Sequence, residues 1–82
     1  MPYHSGYIYA ICHNLNYDAS KLNINNICAN MNLSAKRVIS TDADMDVSTE
    51  YDARIIFGDD YDEWSDEYKN KVKHEIALTY MG

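Results

Sequence analysis

The sequence predicts a mainly α fold, a compact bundle of about four or five short helices. Three observations carry that expectation. Apolar residues recur at i, i+3, i+4 and i+7 in two separate segments; a third segment steps by four along its whole length; and the sole proline, Pro2, leaves every later segment free to be helical. The competing architecture is a small α+β domain with a C-terminal helix packed on a short sheet. With 82 residues and no Gly/Ser-rich or proline-rich linker, the chain reads as a single domain spanning 1–82. A chain of this size buries only about 60% of its unfolded surface, so the core must be small.

The first segment sets Ile8, Ile11, Cys12 and Leu15 on one helical face, with Ser5 placed to cap it. A strand is the rival, because Tyr7, Ile8, Tyr9 and Ile11 are all strong strand formers. Asn14, Asn16, Tyr17 and Asp18 then read as a connection. The second segment repeats the spacing with Ile24, Ile27, Cys28 and Met31, offers Asp18 or Ser20 as caps, and should end near Asn32, a residue that tolerates the left-handed conformation.

Ser34 is placed to cap a third helix from Ala35 to about Thr41, with Val38 facing inward. The related tetrads Met31-Asn32-Leu33-Ser34 and Met45-Asp46-Val47-Ser48 suggest one stop-and-start device used twice, which makes residues 41–48 a connecting loop. After it, Thr49 to Phe57 reads as a helix ended by Gly58, or Arg54 to Phe57 as a strand. The last segment is the clearest: Trp64, Tyr68, Val72, Ile76 and Tyr80 form a single stripe, capped by Ser65 or Asp62.

Charge is unevenly distributed. The chain carries a formal charge of -6, and eleven of its 13 acids fall between positions 42 and 67, with Arg54 the single cation among them. The first forty residues are slightly basic. The longest apolar run, Tyr7 to Cys12, is far below the roughly 18 residues of a membrane span, and no basic start precedes a cleavable apolar stretch, so a cytoplasmic protein without a membrane partner is expected. Cys12 and Cys28 both occupy apolar helix positions, which favours buried thiols over a disulfide.

Asp42, Asp44 and Asp46 resemble the first three ligand positions of an EF-hand loop. Val47 stands where that family needs glycine, however, and Ala53 where it needs the closing glutamate, so no calcium site is expected. His4, His13, His74, Cys12 and Cys28 lack zinc-site spacing, and no metal or other cofactor is expected. No phosphate-binding loop, nucleophile elbow or triad ordering is present. Gly6-Tyr7-Ile8-Tyr9 opens like a GIY-YIG nuclease, but the second glycine-bearing strand, the arginine and the glutamate of that family do not follow. The sequence therefore predicts no catalytic residues and no enzyme.

Residues 24–41, INNICANMNLSAKRVIST, resemble a helix-turn-helix through Ile27, Cys28, Met31, Leu33 and Val38. That resemblance implies a DNA-binding regulator with Ser34, Lys36, Arg37 and Ser40 facing DNA. Against it, Asp42, Asp44 and Asp46 follow at once and would repel the phosphate backbone.

The acidic half supports the preferred reading. Its carboxylates are interleaved with Tyr51, Tyr61 and Trp64, and in size and composition it resembles small phage-encoded inhibitors of the anti-CRISPR and anti-restriction type, which imitate nucleic-acid phosphates. The resemblance implies a basic nucleic-acid-binding protein or complex as partner, no direct nucleic-acid contact, and the cytoplasm of a host cell as location. Carboxylates can occupy a cationic groove built for phosphates, and long-range attraction speeds the encounter. The expected partner-binding residues are Asp42, Asp44, Asp46, Glu50, Asp52, Asp59, Asp60, Tyr61, Asp62, Glu63, Asp66 and Glu67.

Overall fold

The structure, a computed structural model, describes residues 4–33 and 39–81. Among the described residues the chain folds as five α-helices and one short 3-10 turn, with no strand. The mainly α bundle is the fold that forms, and both sheet alternatives, at residues 7–12 and 54–57, are helical.

Helix α1 spans Ser5–Leu15 and buries Ile8, Ile11 and Cys12, three of the four residues on its predicted face. Its cap is His4 rather than Ser5: the His4 imidazole Nδ1 accepts the Gly6 backbone N–H at 3.1 Å. The helix ends at Asn16, whose left-handed backbone (φ 57°) returns its N–H to the carbonyls of Cys12 and His13. Asp18 caps the 3-10 turn Ala19–Lys21 and not the helix after it. Its carboxylate accepts from both Ser20 N–H and Ser20 Oγ, and these bonds hold it below the usual aspartate range. Helix α2 spans Ile24–Leu33 and starts from Asn23, whose side-chain oxygen accepts the Asn26 N–H at 3.3 Å. Its inward residues are Ile27 and Met31, with Cys28 half-buried beside them.

The third expected helix does not reach Thr41, because Ile39 and Ser40 are not helical; the remainder of that expectation, with Ser34, Lys36, Arg37 and Val38, lies outside the described residues. Nor is 41–48 a loop. Helix α3 runs unbroken over Asp42–Phe57, starting seven residues before the expected Thr49. The cause is local. Thr41 is an extended N-cap whose Oγ1 accepts the Asp44 N–H at 3.1 Å, while Asp44 reaches back to accept Ser40 N–H at 3.3 Å and Ser40 Oγ at 3.1 Å. This is a variant of the capping box, with aspartate at its fourth position and the return bond made to the residue before the cap, and it starts the helix where no apolar periodicity announces one.

Gly58 ends α3. It donates its N–H to the Arg54 carbonyl at 2.9 Å and sits at φ 61°, ψ -136°, a conformation that side-chain-bearing residues avoid. The chain then makes a one-turn helix, α4 (Asp59–Glu63), breaks again at Trp64, and enters α5 (Asp66–Met81), where Ser65 Oγ accepts the Tyr68 N–H at 3.2 Å.

The largest pairing is between α3 and α5, with α1 on α5 and α2 bridging α1 and α3. Between them lies a core of Ile8, Ile11, Cys12, Ile27, Met31, Ala53, Ile56, Phe57, Tyr61, Val72 and Ile76. Each fully buried aliphatic side chain of this kind contributes roughly 1.5–3 kcal/mol. At one end Tyr17, Phe57, Tyr61, Trp64 and Tyr68 meet edge to face, their ring centroids 4.7 to 6.2 Å apart around Trp64 and Phe57. Trp64, the hub of this cluster, fixes the corner between α4 and α5.

Candidate interaction surface

The acidic stretch divides into two regions whose carboxylates are used differently. On α3, most are held within the fold. Asp44 belongs to the capping box, and its bonds to the Ser40 backbone and hydroxyl keep it below the usual aspartate range. Asp46 pairs with Lys73 of α5, which raises the lysine's pKa. Glu50 meets Arg54 one turn later at 3.3 Å, and the same guanidinium reaches Asp62 of α4. Asp42, in the first turn, is exposed.

Two expected surface residues are buried instead, which corrects the sequence reading. Asp52 is 4% exposed, because it occupies the inner face of α3 that also carries Ser48, Thr49, Ala53 and Ile56. Its carboxylate accepts the Tyr80 phenol from α5. Since that bond uses the phenol's one proton, Ser48 Oγ must donate in its own 3.2 Å contact with the Tyr80 oxygen. Ser48, Tyr80 and Asp52 thus form a directed hydrogen-bond chain across the α3–α5 interface.

Tyr61 is 1% exposed and packs into the core, with Arg54 and Lys69 over its ring at 5.2 and 5.3 Å. Burial pushes its phenol above the usual tyrosine value. Neither Asp52 nor Tyr61 can be presented to a partner without opening the core.

The second region is the corner made by α4 and the first turn of α5. Six carboxylates lie on this nine-residue stretch, all exposed. Asp60 accepts the Tyr17 phenol at 3.2 Å, and Asp62 holds Arg54. Asp59, Glu63, Asp66 and Glu67 make no ion pair and no side-chain hydrogen bond among the described residues. Asp59 lies in the first turn of α4 and Asp66 and Glu67 in the first turn of α5, where the positive end of the helix dipole eases their mutual repulsion, while Glu63 closes α4 between them. The ring cluster beneath, with Phe57 and Tyr61 buried and Tyr17, Trp64 and Tyr68 half-buried, packs under that corner.

The remaining sequence candidates do not come together. The EF-hand-like positions 42 to 53 lie along a continuous helix, which sets Asp42 and Asp46 on one face and Asp44 on the opposite one instead of wrapping all three around an ion. No group of three or more His, Cys, Asp or Glu among the described residues is placed to hold a metal. Cys12 and Cys28 are free thiols, both raised in pKa by burial. Of the residues carried over from the helix-turn-helix resemblance, only Ser40 is described, and its hydroxyl is bonded to Asp44. An open groove of about 470 Å³ runs between α1 and α5, lined in part by Glu67, Lys71 and His74, with Asn14 donating to Glu75 at 2.9 Å on its wall. No helix among the described residues is long and apolar enough to cross a membrane.

The sequence held signals for part of what was missed. Thr41-Asp42-Ala43-Asp44 is a capping-box spacing, and it marks the true start of α3. Extending Ile56 and Ala53 backwards by helical steps reaches Asp52, Thr49 and Ser48, which places Asp52 on the buried face. Nothing local points to Tyr80 as its partner. Comparisons of this chain with protein-family models, with curated proteins and with solved structures gave no match.

Proposed function

We propose that the protein is a small acidic binding module that inhibits a nucleic-acid-handling protein, in the manner of anti-CRISPR or anti-restriction proteins, by presenting the α4–α5 corner to a cationic groove. One observation supports the reading above the rest: Asp59, Glu63, Asp66 and Glu67 are exposed on consecutive turns, with no ion pair or side-chain hydrogen bond among the described residues, on a corner held rigid by packed rings. Carboxylates that no internal cation neutralises retain their full attraction for a basic surface, and a rigid corner loses little entropy on docking. In this reading the partner is a basic protein or complex, nucleic acid is not bound directly, and no catalytic step is involved.

The test is affinity capture from a bacterial lysate, the source that the phage-type resemblance implies, in low and high salt. The wild type is compared with a variant carrying Asp59→Asn, Glu63→Gln, Asp66→Asn and Glu67→Gln. The expected result is a nucleic-acid-binding protein retained by the wild type in low salt, released in high salt and absent from the variant's eluate. Equal recovery by both proteins would overturn the assignment of the corner. Retention of DNA in place of protein would overturn the inhibitor reading itself.

A further inference from the structure

We draw no further inference here: the strongest candidate, the exposed apolar stripe of Ala43, Val47 and Tyr51 along the solvent side of α3, carries nothing because nothing in the structure shows what covers it.

Discussion

Helix α3 and the α4–α5 corner are both densely acidic, yet their carboxylates have different occupations. On α3, Asp44 closes a cap, Asp46 and Glu50 meet cations, and Asp52 is drawn into the helix interface. On the corner, four of six carboxylates face solvent with no ion pair or side-chain hydrogen bond among the described residues. The difference teaches that acid density alone does not identify a binding surface. A long helix has an inner face, and a charge that falls on it must be bonded or paired, because burying it otherwise costs several kcal/mol. A one-turn helix such as α4 has room for a single inward anchor, here Tyr61, and leaves its other side chains outside.

This comparison can be broken or sharpened by substitution. The largest effect is expected at the anchor: Tyr61→Ala should cost about 3–5 kcal/mol, read as a lowered urea midpoint, because a fully buried ring is lost from the core. An exposed tyrosine would cost far less, so a small change would show that α4 does not rest on the core as described. Next, Asp52→Ala should cost about 1–3 kcal/mol by leaving the Tyr80 hydroxyl without its acceptor in the α3–α5 interface. Adding Tyr80→Phe should recover part of the loss, as the two changes share one hydrogen-bond chain. A wild-type midpoint for Asp52→Ala alone would place that carboxylate on the surface after all.

The cap should matter less. Thr41→Ala is expected to remove about 1 kcal/mol and to fray the first turns of α3 in amide hydrogen exchange. Its partner Asp44 adds a pH dependence. Because its folded carboxyl titrates below the ordinary aspartate value, the stability it adds is fully present above that value and is lost as the pH falls through the lower, folded one. In an acid titration, the wild type and Asp44→Asn should differ at neutral pH and converge in that acid range. Smallest of all is the corner: the four-residue variant used for capture should keep the wild-type unfolding midpoint, since its side chains hold nothing among the described residues. A marked loss of stability there would mean that these carboxylates serve the fold, as those of α3 do.

How much of this was legible in the sequence depended on the kind of interaction. The apolar faces of α1, α2 and α5 follow from spacing, since a helix repeats every 3.6 residues and the core takes whatever lies on one side. Helix α3 was legible only from Thr49 on, because before that point its one buried residue, Ser48, is polar and no apolar periodicity betrays a helix. Its first half was written instead in the cap, Thr41 to Asp44.

The sequence by itself determined the helical class, the inward faces of three helices and the concentration of acid between residues 42 and 67. Only the tertiary structure decided that Asp46 and Asp52 are held within the fold. Lys73 reaches Asp46 across 27 positions of chain, and Tyr80 reaches Asp52 across 28. Pairings at such separations are set by how α3 and α5 pack, and no local pattern of residues encodes them.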